Sequence, residues 1–280
     1  MTLSPTPTAV NREPVPCPNC GTDLRGTYCH HCGEKKLHEH DLTVKHFVLH
    51  AVHELTHLDS KIFATFLYLF TRPGYLTKEY VAGRRVRYVR PFSIFLMACG
   101  LFFLVDSFVP QSGFEVRQLS RMDQAGKVDA AWEKLAEAKK VPKDIILERI
   151  QSTLHKVSTM AQMANAVAMT LVLALLFFRR PLVLHLIFSL HYFAFTYLAA
   201  VLLSPLSFLY RASGFWSYLL PIVTTAAFFI YLCLALRRVY GQSIWLTLLK
   251  SVVTYVIVQI VIIATLIMAL IVAVIHAARA

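Results

Sequence analysis

Apolar residues in this 280-residue chain come in blocks long enough to cross a bilayer, and that feature excludes most folds. About 30 Å of hydrocarbon needs roughly 20 apolar residues in a helix. Five stretches qualify, at 91–109, 161–178, 182–203, 216–236 and 251–275. With 56% hydrophobic and only 16% charged residues, the chain lies outside the usual range of soluble domains. All 16 Asp and Glu precede position 149. That excludes a soluble enzyme with catalytic carboxylates in its C-terminal half, and it excludes a carboxylate proton relay through the later helices. The net charge of +12 points to anionic lipid headgroups rather than nucleic acid in a chain of this kind. The fold expected is an all-α multi-spanning membrane protein with about five transmembrane helices and a small N-terminal ribbon.

Residues 1–16, with Pro5, Pro7, Pro14 and Pro16 among Ser and Thr, have neither a basic n-region nor an apolar h-region and are expected to form a disordered leader. The strongest motif follows. Cys17-Pro18-Asn19-Cys20-Gly21 and Tyr28-Cys29-His30-His31-Cys32-Gly33 are two CxxCG turns with eight residues between the inner cysteines. Each turn lets two soft thiolates converge on one ion, and the glycine permits the tight backbone reversal. Tetrahedral zinc, at about 2.3 Å per sulfur, is the expected cofactor of Cys17, Cys20, Cys29 and Cys32. The closed site is read as a structural zinc ribbon over 17–36, a docking knob or stiffener, with a redox pair as the alternative. His30 and His31 are expected to be bystanders.

Residues 41–90 read as an amphipathic interfacial helix, a turn at Thr71-Arg72-Pro73-Gly74 and a basic juxtamembrane patch, Arg84, Arg85, Arg87 and Arg90. The segment 62–70 is either interfacial or re-entrant. His46, His50, His53 and His57 recur at helical spacing and occupy a band about 60° wide. The plain reading is a weakly polar face toward water or headgroups. The alternatives are a second metal site or a pH-sensitive headgroup contact. Within the stripe, His53-Glu54-Leu55-Thr56-His57 matches HExxH, in which two histidines bind zinc and the glutamate is the general base. Glu54 would be that base, and Glu79 is the best third ligand to a second metal with His53 and His57. An accidental match in a histidine-rich segment is the competing account.

The polar segment 110–160 contains helical stretches at 132–140 and 144–157 and is expected to form an extracytoplasmic helical cap. Orientation follows from charge. With the N-terminus in the cytoplasm, Arg84 to Arg90, Arg179-Arg180, Arg237-Arg238 and Lys250 all face inward, although the nine Lys and Arg between Arg117 and Lys156 face outward. Four exposed thiols also prefer a reducing compartment. His185 and His191, with Tyr192 and Tyr197, are the polar points of the third span, and packed structural histidines are expected there. Asp106 should reach water at the end of its span. Pro205 and Pro221 end or bend helices, and Cys99 and Cys233 are read as small buried apolar residues.

Taken together, the two CxxCG turns, Thr56-His57-Leu58-Asp59, the Arg72-Pro73-Gly74 turn, Glu79-Tyr80-Val81-Ala82-Gly83-Arg84-Arg85 and the nearby Tyr88 and Pro91 resemble a bacterial domain-of-unknown-function family, number three-six-six-seven. The resemblance covers about residues 17–100 and implies no activity. In the family pattern the position of Glu54 is often apolar, which weighs against a peptidase base, while Arg84 and Arg85 gain interest as lipid-phosphate or partner contacts. The expected function is a non-enzymatic docking or sensing protein of the bacterial inner membrane, with a cytoplasmic protein partner at the ribbon. A small-solute or lipid transporter and an HExxH metallopeptidase are the alternatives.

Overall fold

A computed structural model describes residues 15–36, 61–108, 123, 126–206 and 214–279. It is mostly helical, and the described residues contain no β-strand beyond two isolated bridges near the N-terminus. In chain order the helices are α1 (Lys61–Thr71), α2 (Tyr75–Val81), α3 (Pro91–Phe108), α4 (Lys127–Lys139), α5 (Lys143–Leu176), α6 (Leu182–Leu203), α7 (Gly214–Tyr240) and α8 (Ile244–Arg279), with a 3₁₀ turn at Ser204–Leu206 after α6.

Among the described residues, three helical stretches are long and apolar enough to cross a membrane: Leu182–Leu206, Leu219–Tyr240 and Ile244–Ala278. Lys61–Thr71, Pro91–Asp106 and Ala164–Leu176 are apolar but shorter. The sequence led to an expectation of about five spans; the described residues support three, and the stretches expected at 91–109 and 161–178 appear among them as the shorter apolar helices. The stretch at 91–109 is the helix α3, whose apolar part runs over Pro91–Asp106. The stretch at 161–178 is the last part of one continuous helix, α5, which also takes in the separate helix expected at 144–157. No Pro or Gly interrupts 143–176. The change from polar to apolar composition within α5 therefore marks a change of surroundings along an unbroken backbone. At 34 and 36 residues, α5 and α8 are each about 50 Å long and outrun the hydrocarbon core.

The central helix is α6. Two thirds of its apolar window is buried inside the protein, against 17% for α8. It packs against α3, α5 and α2, and its aromatic residues interlock with α7, where Phe195 stacks on Tyr231 with ring centres 3.6 Å apart. The two polar points foreseen in α6 are packed and partnered. His185 Nδ1 lies 2.7 Å from the Tyr240 hydroxyl and His191 Nδ1 lies 2.9 Å from the Thr77 hydroxyl.

The most extensive contact joins α5 and α8, which run antiparallel. Lys250 Nζ donates to the Leu176 carbonyl at one end. At the other, Ile146, Ile150 and Leu154 of α5 and Trp132 of α4 pack onto Ala269, Ala273 and Ala277 of α8. Those alanines recur every four residues on one face and are at most 1% exposed, so the backbones approach closely there. The α4–α5 hairpin closes through Lys140 in the left-handed region, with Val141 N–H donating to Ala136 O. Lys143 pairs with Asp129 at 2.8 Å, which raises its pKa above the ordinary lysine value.

Candidate metal centre

The ribbon is one knuckle built twice, twelve residues apart. In the first, Cys17 N–H donates to Thr22 O, Gly21 N–H to Cys17 O and Leu24 N–H to Val15 O. In the second, Cys29 N–H donates to Glu34 O, Gly33 N–H to Cys29 O and Lys36 N–H to Thr27 O. Antiparallel bridges at Pro16–Asp23 and Tyr28–Lys35 close the two loops. Each knuckle turns through a glycine in the left-handed region, Gly21 at φ 77° and Gly33 at φ 74°, a conformation a side chain would disfavour.

This repetition brings the four sulfurs together. All lie within 4.8 Å of one another, and the closest approaches, Cys17–Cys32 and Cys20–Cys29, are both 3.6 Å. Each close pair joins the first cysteine of one knuckle to the second of the other. The four are free thiols and could hold a metal ion. Their protonation differs. Hydrogen bonds from the Thr22 hydroxyl and backbone lower the Cys20 thiol to about 5, whereas burial pushes the Cys17 thiol up to about 11. Of these two, Cys20 thus starts as a thiolate, and Cys17 releases its proton as a metal enters. His30 and His31 are exposed and outside the cluster.

The second knuckle also carries a contact that its sequence does not advertise. Glu34 directly follows Gly33 and is 2% exposed. Its Oε2 accepts the backbone N–H of Arg85 at 2.9 Å and of Val86 at 3.1 Å. The ribbon is therefore fastened by one carboxylate to the basic loop before α3.

That loop is itself tightly specified. Gly83, at φ 85°, ends α2 and lets Arg84 N–H return to the Glu79 carbonyl. The Arg84 guanidinium grips both oxygens of Glu79, with Nε 2.6 Å from Oε2. This pairing holds the Glu79 carboxyl below its ordinary pKa and raises that of Arg84. Arg85 lies over the Tyr80 ring at 4.4 Å and donates to the Tyr80 carbonyl. Val89 N–H donates to the buried Thr65 hydroxyl, which in turn donates to Lys61 O. The rings of Tyr68, Tyr75 and Tyr88 pack together, and Arg72 sits over the first two at 5.1 and 5.5 Å.

The Arg72-Pro73-Gly74 turn anchors this assembly to the bundle. Gly74 has φ 74°, and a Cβ there would meet the Ala235 carbonyl oxygen of α7 at 2.7 Å. Only glycine fits both the conformation and the space. Arg238 donates to the Pro73 carbonyl at 2.8 Å, and the Tyr231 hydroxyl donates to the Leu69 carbonyl at 2.8 Å. These contacts, with Lys250–Leu176 and His185–Tyr240, gather Arg72, Arg179, Arg180, Arg237, Arg238 and Lys250 at one end of the bundle.

Of the residues singled out from sequence, the four cysteines come together, and Arg84 and Arg85 lie on the loop that Glu34 holds. Arg87 is exposed and Arg90 half-buried. Glu79 is committed to Arg84. His53, Glu54 and His57, with the rest of the histidine stripe, lie outside the described residues. Sequence reasoning missed Glu34, Thr65 and Tyr231 and saw Arg238 only as an inward-facing charge, because their roles depend on partners distant in the chain.

Residues 59–103 match the family model described as Protein of unknown function (DUF3667), so the family resemblance holds over α1, the turn, α2, the arginine loop and most of α3. The ribbon lies outside the matched segment. No curated protein and no solved structure matches the chain.

Proposed function

We propose that this is a multi-pass membrane protein, non-enzymatic, whose N-terminal ribbon holds one zinc ion and presents a docking or sensing surface at the cytoplasmic face. The observation that carries the reading is the Glu34 contact with Arg85 and Val86, which ties the fold of the metal centre to the juxtamembrane loop. Zinc suits the donor set. Four thiolates at about 2.3 Å from an ion in a tetrahedron stand about 3.8 Å apart, and the closest sulfurs here are 3.6 Å apart. No open ligand position remains for substrate, which favours a structural over a catalytic ion.

The gathering of arginines at one end supports an N-inside orientation in the bacterial inner membrane, with that end toward anionic lipid. In this reading α3 and the apolar part of α5 complete a set of about five spans around α6. Arg87 and Arg90 meet headgroups, while Arg84 and Arg85 shape the loop. The ribbon leaves Tyr28 62% exposed, and this ring is the natural point of contact for a cytoplasmic protein.

A photo-crosslinking amino acid at Tyr28 tests the reading in native membranes. A discrete protein adduct is expected with the cysteines intact, lost in a Cys17→Ser, Cys32→Ser chain that still inserts. Absence of any adduct, or one indifferent to the cysteines, overturns the docking role.

A further inference from the structure

Two arginines meet at the turn between α1 and α2. Arg72 opens it, and its guanidinium lies over the rings of Tyr68 and Tyr75 at 5.1 and 5.5 Å. Those rings are 5.2 Å apart, so the cation is seated on both at once. Arg238 reaches the same turn from α7 and donates through Nη1 to the carbonyl of Pro73, the residue after Arg72. Both arginines are exposed.

Each is held by a neutral group. A guanidinium has five N–H donors. Among the described residues, those of Arg72 meet no acceptor, and only one of those of Arg238 does. No described carboxylate pairs with either arginine, since Glu79 is committed to Arg84 and no Asp or Glu follows Glu148. Two positive charges are thus fixed in place without a counter-charge, with most of their donors unused. On the multi-pass reading the turn stands at the membrane surface. The helix before it, α1, is apolar but too short to cross, and presents Phe63 and Leu67 outward on one face. Gly74 packs on Ala235 near the end of the apolar stretch Leu219–Tyr240. Trp245, exposed five residues before Lys250 at the start of α8, is the kind of residue that lies at headgroup level.

We propose that the Arg72-Pro73-Gly74 turn and the end of α7 bind the head of a lipid phosphomonoester, with Arg72 and Arg238 donating to different oxygens of one phosphate. The planar fork of a guanidinium matches phosphate oxygens. A phosphate monoester carries about −1.5 to −2 charges at pH 7 and so balances two cations, which a singly charged diester does not. Soluble phosphates carry the same dianion. The position of the turn beside the outward apolar face of α1 favours a phosphate attached to acyl chains. The inference rests on the multi-pass reading, and on neither the metal nor a partner at the ribbon.

The full chain in a neutral detergent, titrated with dioleoyl phosphatidic acid and read by native mass spectrometry, tests this. One saturable adduct is expected, about tenfold tighter than that of dioleoyl phosphatidylglycerol, a diester with the same chains. Glycerol 3-phosphate, the same head without chains, should not displace it. Arg72→Gln and Arg238→Gln should each weaken this one adduct about tenfold, whereas Arg25→Gln, which removes the same charge from the ribbon, should leave it unchanged. A lipid-free thermal midpoint equal to that of the native chain establishes that a variant is folded. Arg72→Gln carries the test if Arg238→Gln, which also loses its bond to the turn, lowers that midpoint. Equal affinity for the diester, equal weakening by Arg25→Gln, or undiminished binding by Arg72→Gln overturns the proposal. Displacement by glycerol 3-phosphate at the concentration of the lipid assigns the site to soluble phosphates and overturns the lipid assignment. A chain that alkaline carbonate strips from membranes contradicts the multi-pass reading instead, and one that resists carbonate yet binds no phosphomonoester contradicts this site alone.

Discussion

Replacing Glu34 with Ala should release the arginine loop while leaving the metal centre and the bundle intact. The carboxylate accepts two backbone N–H groups at 2.9 and 3.1 Å from a side chain that is 2% exposed. Hydrogen bonds to a charged acceptor contribute about 1.5–3 kcal/mol each. Arg85 and Val86 are half-buried, so their N–H groups recover water once freed. We therefore take a figure reaching below the combined range, about 2–4 kcal/mol. At 1.4 kcal/mol per factor of ten, amide exchange in the 84–88 segment should accelerate about 30- to 700-fold. Hydrogen–deuterium exchange on the full chain in nanodiscs reads this directly, with peptides of α6 as an internal standard that should not change. Removing the ribbon's metal with a chelator should accelerate the same peptides by a similar factor, because Glu34 is placed by the second knuckle. Unchanged exchange at 84–88 in the Glu34→Ala chain would refute the reasoning, since the loop would then be held by Glu79, Tyr80 and Thr65 alone.

Three further outcomes are expected. Gly74→Ala combines a left-handed φ with a Cβ placed 2.7 Å from a backbone oxygen, whereas Gly126→Ala meets a left-handed φ with nothing within 4 Å. Thermal unfolding should therefore show about 1–2 kcal/mol lost at Gly126 and about 1–3 kcal/mol more at Gly74. Ala273→Leu adds bulk where α8 meets Ile146 and Ile150 and should cost about 1–3 kcal/mol; scanning calorimetry checks it, and equal stability would mean the two helices are not in contact there. The Glu79–Arg84 pair depresses the carboxyl pKa, so its stabilisation is full above the ordinary carboxylate pKa and is lost as pH falls through the lowered one. Glu79→Gln should accordingly lower the thermal midpoint at pH 7 and converge with the native chain in strong acid.

How much of this could be read from the residues alone depended on how local the cause was. The ribbon was legible because its ligands and glycines act within five residues, and the donor chemistry follows from the side chains themselves. The last three spans were legible because hydropathy suffices to find them. The limits of α5 were not, because composition changes along it while the backbone has no reason to break. The Ala269, Ala273 and Ala277 face vanished inside an apolar run, where small residues carry no contrast until a partner helix is in place. Glu34 gave no signal, because a carboxylate meeting two backbone N–H groups 51 and 52 residues away leaves no pattern in side chains. The Arg72-Pro73-Gly74 turn was visible as a turn, but the reason for its glycine lies in α7, at Ala235.

The most direct test of the account is the zinc-to-protein ratio of the full chain purified without chelator, measured by elemental analysis beside a Cys17→Ser, Cys20→Ser chain and a His53→Ala, His57→Ala chain. A single tetrathiolate ion fastened above the membrane loop predicts one zinc per chain, lost with the cysteines and unchanged without the histidines. A ratio near zero in the native chain, or one that survives loss of the cysteines, would contradict it, and a ratio of two that falls to one without the histidines would contradict the claim of a single ion.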